Sequence, residues 1–358
     1  MKLYRKLYSV HKWLGLTTGF FLLLLGLSGS ILVFKDELEE LVYADLNTVT
    51  VKKNPLAIDD IYRIITREYP NLDGISWINP HAPANESYFF RLYLNDTKLT
   101  TYDLGLIRIN QYTGQIIRHG RSDDWRVDLL EWCFQFHFSF HQGMPGAAFA
   151  ASMGIVMLLS MLTGVLVYRK FIWKVLTFKV KIKTKNWRTI SSDLHRVVGV
   201  WALVLNSIIF FTGFWMNLFA FESETWRNEE IPTPQNTLVK VSLDKMYQEA
   251  LKKMPDLVPN YVYLPTQPKK KFNVRGNIEG QNPLFAGGNR VNFNAETGEF
   301  INVQRFSEMA IGDKIEALFF PLHVGNYGGV FLKILYVIIG LTPGLLTITG
   351  FLLWWRKK

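Results

Sequence analysis

Residues 11–34 read HKWLGLTTGFFLLLLGLSGSILVF, and residues 195–219 read HRVVGVWALVLNSIIFFTGFWMNLF. Each stretch opens with a histidine and places a glycine four residues on (Gly15, Gly199). Each then runs without a charged residue through a small-residue pair, Ser28-Gly29 in one and Thr212-Gly213 in the other. His11, Gly15 and Gly29 find their counterparts 184 residues later, at His195, Gly199 and Gly213. An apolar run needs about 20 residues to cross a bilayer core as a helix. Four runs qualify: Trp13–Phe34, Gly146–Tyr168, Val197–Phe219 and Gly329–Trp355. Only the fourth holds a charge, Lys333, near its start where the ammonium can snorkel to an interface. A cleaved signal peptide is a competing reading of the first run, with Ser28-Gly29-Ser30 as the small-residue site. The repetition of the same pattern deep inside the chain argues against it.

Working outward, the second and fourth runs also match. His141-Gln-Gly-Met-Pro-Gly precedes one and His323-Val-Gly-Asn-Tyr-Gly-Gly the other, an offset of 182 between the histidines. The runs close on Thr163-Gly164 and Thr349-Gly350, each followed by apolar residues and an arginine. The intervening segments repeat as well. Residues 58–69 and 243–254 have the apolar spacing of amphipathic helices, and Tyr88–Leu94 and Arg290–Phe293 alternate as strands do. The pieces 110–114 and 294–298, both Asn-x-x-Thr-Gly, read as hairpin turns with glycine at the positive-φ position. The expected fold is an integral membrane α-helical protein. It has four transmembrane helices, two extracytoplasmic α+β modules and a tandem internal duplication. Its expected parts are helix 1 over 1–35, a first module over 36–143, helix 2 over 144–168 and a basic loop over 169–194. Helix 3 follows over 195–219, a second module over 220–320, and helix 4 with its tail over 321–358. Two halves inserted in the same orientation pack about an axis along the membrane normal.

Charge sets the orientation. The formal charge of +10 is concentrated before the first run, in the 168–196 connection and in the tail Arg356-Lys357-Lys358. These regions hold 16 of the 40 basic residues and a single acid, Asp193. The positive-inside rule puts both termini and that connection in the cytoplasm. The basic excess is thus a topology signal, and no nucleic-acid partner is expected. The lone Cys133 excludes an internal disulfide and cysteine-ligated iron–sulfur clusters. No nucleotide-binding glycine loop and no nucleophile–base triad is present.

Seven histidines remain: His11, His81, His119, His137, His141, His195 and His323. A pseudo-twofold axis brings His11 opposite His195 and His141 opposite His323. Facing neutral imidazoles suit the two axial positions of a six-coordinate haem iron, and that ligand set favours electron transfer. Two haem b groups are therefore expected, one near each membrane surface. His137 lies one helical turn before His141 and either replaces it or lines the same haem. By the 182 offset its counterpart is Phe319, so His141 is the preferred ligand. Lys12, Arg126, Arg196 and Lys333 are candidate propionate partners. His81 and His119 read as surface residues and Cys133 as a buried apolar one. Headgroup-bonding histidines and a non-haem metal are the competing readings, and a transporter is a weaker one, resting on Asn206 alone.

The ordered set resembles the PepSY-associated transmembrane family. That set is His-x-x-x-Gly opening the first and third runs, His-x-Gly before the second and fourth, and the Thr-Gly endings with Asn-x-x-Thr-Gly turns between. The resemblance covers nearly the whole chain. It implies PepSY-like outer modules, location in the bacterial inner membrane, and a ferric-siderophore reductase type of activity. The ligands it implies are His11, His195, His141 and His323. The implied acceptor is a ferric siderophore or another periplasmic electron acceptor. Some relatives carry an additional reductase domain. This chain ends at Lys358, so a cytoplasmic reductase partner or a quinol is the expected donor. The rival reading is a non-catalytic, membrane-anchored PepSY module that binds peptides or envelope proteins.

Overall fold

The computed structural model describes residues 2–94, 104–222, 239–267 and 270–355. The basic tail at 356–358 lies outside the described residues. Helices occur in the order α1 (Lys2–Leu32), α2 (Lys35–Asn47), α3 (Ile58–Glu68), α4 (Leu129–Ser139), α5 (Gly143–Leu176) and α6 (Trp187–Trp201). They continue as α7 (Leu203–Met216), α8 (Leu243–Lys253), α9 (Ile311–Ala317), α10 (Phe319–Val324) and α11 (Gly329–Trp355). Strands are β1 (Leu72–Ile78), β2 (Tyr88–Leu94), β3 (Leu104–Ile109), β4 (Ile116–Arg121), β5 (Leu257–Leu264), β6 (Lys271–Ile278), β7 (Arg290–Asn294) and β8 (Phe300–Gln304). They belong to two units. The helical unit takes Met1–Lys35, Cys133–Phe221 and Phe319–Lys358, and the sheet unit takes Asp36–Trp132 and Glu222–Leu318.

In the helical unit α1, α5 and α11 are each long and apolar enough to cross a membrane. The third expected span departs from a single helix over 197–219. It starts earlier, at Trp187, and is a pair, α6 and α7, bent by 66° at Ala202. Among the described residues, three helices, or four spans with the bent pair counted as one, are therefore long and apolar enough to cross a membrane. Helix α1 packs against α5 and α11, while α6 and α7 pack against α11 and α5. Small residues set the α1–α11 crossing. A Cβ on Gly26 would collide with the Gly340 carbonyl, and one on Gly19 with Thr347. Ser30 Oγ donates to the Val337 carbonyl (3.3 Å) and Thr347 Oγ1 to that of Gly19 (3.2 Å). Between apolar helices, close backbone approach and such bonds replace the hydrophobic drive that water supplies elsewhere. Leu22, Met153 and Met157 form a buried apolar layer in this bundle.

The sheet unit holds one eight-stranded antiparallel sheet, ordered β4-β3-β2-β1-β5-β6-β7-β8. The two α+β repeats thus fuse along their equivalent strands, since β1 pairs antiparallel with β5. One face is apolar. Val262, Val274, Val291 and Val303 lie opposite one another across four successive strands. That face buries against α3 and α8. Both helices present buried residues at i, i+3, i+4 and i+7: Ile58, Ile61, Tyr62 and Ile65 in one, Leu243, Met246, Tyr247 and Ala250 in the other. The two helix starts cap each other. Asp244 accepts from the Ile58 and Asp59 amides (both 2.9 Å), and Asp59 accepts from the Leu243 amide (2.8 Å) and the Ser242 hydroxyl (2.6 Å). The turns match their reading from sequence. Asn110 accepts from the Tyr112 amide and Asn294 from the Glu296 amide, with Gly114 (φ +73°) and Gly298 (φ +77°) in the left-handed region.

Candidate functional site

Four half-buried histidines of the helical unit are held in the same way. His11 Nδ1 lies 2.9 Å from the Ser160 carbonyl and 3.3 Å from Thr163 Oγ1. His195 Nδ1 meets Thr349 Oγ1 at 3.0 Å, and His137 Nδ1 meets Ser28 Oγ at 3.0 Å. His323 Nδ1 lies 3.0 Å from the Ile209 carbonyl and 3.2 Å from Thr212 Oγ1. Each hydroxyl spends its only proton on its own helix. Ser28, Thr163, Thr212 and Thr349 donate to the carbonyls of Leu24, Leu159, Ile208 and Leu345 at 2.7–3.0 Å. The hydroxyl oxygen is therefore the acceptor and Nδ1 carries the ring proton. The lone pair of each imidazole is left on Nε2.

The residue after each hydroxyl is glycine, and there the ring packs. A Cβ on Gly29 would sit 2.8 Å from His137 Cε1, on Gly213 2.8 Å from His323 Cε1, and on Gly164 3.1 Å from His11 Cε1. At Gly350 the same distance to His195 Cε1 is 3.5 Å. A hydroxyl–glycine pair on one helix thus fixes both tilt and proton position of a histidine from another.

These clamps gather the rings into two pairs. His11 and His195 have ring centroids 6.0 Å apart with planes at 83°. His137 and His323 have centroids 6.2 Å apart with planes at 51°. His11 and Ser28, the His137 clamp, both lie on α1, about 25 Å apart at 1.5 Å rise per residue. Beside the first pair opens a cleft of about 610 Å³, counting the part open to the surroundings. It is lined by His195, Arg196, Gly164, Gly199, Tyr168 and Asn206, among others. Asn206 is buried with its amide nitrogen on Thr342 Oγ1 (2.9 Å), while Oδ1 has no partner among the described residues. A Cβ on Gly15, one helical turn from His11, would meet nothing within 4 Å.

The sequence reading preferred His141 for the second pair and kept His137 as the alternative. His137, not His141, stands beside His323. His141 sits in the turn between α4 and α5 with φ +57° and packs on Phe136, centroids 5.8 Å apart. The deciding signal was in the chain. Thr163-Gly164 and Thr349-Gly350 are 186 residues apart, and 186 carries His137 onto His323. The 182 offset came from the His-x-Gly turns, whose lengths differ by one helical turn. Of the four basic candidates for propionates, Arg196 lines the cleft. Lys12 lies over Trp13, Lys333 over Phe34, and Arg126 bonds Asp124. His81 and His119 are exposed and Cys133 is buried, as read from the sequence.

The model of one family, described as the PepSY-associated TM region, matches residues 8–357 and so spans both repeats and all four clamped histidines. The chain belongs to this PepSY-associated TM family. Comparison with curated proteins returns no significant match. In this PepSY-associated TM protein, no group of three or more His, Cys, Asp or Glu side chains placed to hold a metal ion occurs among the described residues. Each site therefore offers two imidazoles and no carboxylate or thiolate.

Proposed function

We propose that the protein carries two haem b groups, held by His11 with His195 and by His137 with His323, and moves electrons across the bacterial inner membrane to a periplasmic acceptor. The observation that carries this reading is the twice-built pair of imidazoles with Nδ1 bonded and the lone pair left on Nε2. Two imidazoles bonding one metal from opposite sides at ~2.0–2.1 Å have ring centroids roughly 6 Å apart, near the spacing of both pairs. A tetrahedral metal site needs about four protein ligands. Two imidazoles would instead suit a cofactor that brings the remaining donors itself, as a haem does. The cleft beside His195, the open space at Gly15 and the unpartnered Asn206 oxygen are consistent with a flat group there. When bound, each haem would supply a one-electron ferric/ferrous couple.

The chain's own part is to hold and orient the rings and to keep the proton on Nδ1. Its helices also exclude water from the layer of Leu22, Met153 and Met157. With the basic connections in the cytoplasm, the donor is a cytoplasmic reductase or quinol and the acceptor is a ferric siderophore. Reduction loosens such a chelate, because ferrous iron is softer and less charged than the ferric ion its hard oxygen ligands prefer. The test is a visible spectrum of the purified chain with and without dithionite, with haem quantified. His195→Ala and His323→Ala are each expected to remove about one of two haems. A preparation that is colourless under ample porphyrin supply refutes the redox reading and favours the peptide-binding one.

A further inference from the structure

The face of the sheet turned away from α3 and α8 carries two polar rows across β5–β8. One runs Tyr261, Arg275, Arg290, Gln304 and the other Tyr263, Asn273, Asn292, Asn302, each residue directly opposite the next. Neither row holds an acid. Arg275 and Arg290 therefore face each other as like charges on neighbouring strands, an arrangement that destabilises a sheet. Both are held in place by neutral oxygens. Arg275 Nε donates to Asn273 Oδ1 (2.8 Å) and its guanidinium lies 5.1 Å from the Tyr261 ring centre. Arg290 Nε donates to Gln304 Oε1 (2.9 Å). Among the described residues no carboxylate comes within ion-pairing distance of either. Burial, and then the Arg275 charge, push the Arg290 guanidinium below its ordinary range. Each Nε is bound from within the sheet, and among the described residues the terminal nitrogens of the two forks carry no hydrogen bond to a carboxylate.

We propose that this half of the sheet is a binding site for a small oxyanion ligand, carboxylate or phosphate in type, gripped between the Arg275 and Arg290 guanidiniums. Paired planar forks match the two oxygens of such groups, and the bound charge removes the repulsion the strands otherwise carry. The inference does not depend on the haem reading. Its test is calorimetric titration of the full chain in detergent at low ionic strength, with citrate in one arm and inorganic phosphate in another. Saturable binding is expected in at least one arm, and the stronger arm names the chemistry. R275Q and R290Q are expected to weaken it at least tenfold, while their melting temperatures without ligand stay level or rise. Double replacement by lysine, which keeps both charges and loses the forks, is expected to recover part of the affinity. Failure of both anions to bind, binding unchanged in R275Q and R290Q, or no recovery with lysine overturns the site.

Discussion

Two directly opposed arginine pairs lie on the same face of the sheet, one in each repeat, and the molecule treats them differently. Arg108 and Arg118 face each other across β3 and β4 and are both buried. Carboxylates surround them: Glu39 bonds Arg108 and lies 3.5 Å from Arg118, Glu86 is 3.3 Å from Arg108, and Asp128 is 3.1 Å from Arg118. Arg275 and Arg290, on β6 and β7, have amide oxygens and a tyrosine ring instead. A buried like-charge pair folds only with counter-charges built into the chain, whereas a pair partly open to solvent tolerates waiting for one. The helical unit shows the opposite trend. There the hydroxyl–glycine clamp recurs four times, twice in each repeat. The duplication has thus kept the histidine sites alike and let one sheet face differ.

The sharpest test of that likeness is the histidine the sequence ranked second. His137→Ala is expected to remove about one of two haems per chain, as His323→Ala does, while His141→Ala leaves the content unchanged. The reverse result, read by pyridine haemochrome assay, would return the ligand to His141 and break the equivalence of the halves.

The arginine pairs come next in size. Glu39→Ala strips the carboxylate that, among the described residues, touches both Arg108 and Arg118, leaving Glu86 and Asp128 beside the two buried charges. Removing one partner of a buried ion pair costs about 3–5 kcal/mol, and the lower end is expected with two acids remaining. Arg275→Gln, on a surface pair, should change stability by no more than ~0.5 kcal/mol. Urea unfolding followed by hydrogen exchange in β3 and β6 measures both. Equal losses would show that the second pair is as structural as the first.

What the sequence made legible follows from how local each signal is. The apolar runs, the amphipathic stretches at 58–69 and 243–254 and the Asn-x-x-Thr-Gly turns are written in contiguous residues, and α11 matches its expected Gly329–Trp355 bounds. The pairing of β1 with β5 was not legible, because either strand alone carries only the alternation any sheet strand has. Nor was the bend at Ala202, which no proline marks and which falls one turn after Gly199. The His137 register was written in the chain but in the helix interiors, where Thr163 and Thr349 fix the packing. The turn holding Phe140 and His141, both at positive φ, has no such constraint on its length.

A smaller effect than that of Glu39→Ala is expected for a feature both repeats share, the mutual capping of α3 and α8. Burial, with the neighbouring Asp59, holds the Asp244 carboxyl above the ordinary aspartate value of ~3.9. In the pH window between that value and its raised folded one, the folded state binds more protons than the unfolded. Stability of the sheet unit therefore falls as pH rises through the window and levels off above it. Asp244→Asn removes the titration and should flatten this slope. It keeps one side-chain oxygen for the two amides now served, so a loss of about 1 kcal/mol is expected at neutral pH. Thermal unfolding of parent and variant across mildly acidic pH separates the two effects. A slope that persists in the variant would place the proton elsewhere, and a matching experiment on Asp59→Asn would show whether the two caps share the load as evenly as the repeat suggests.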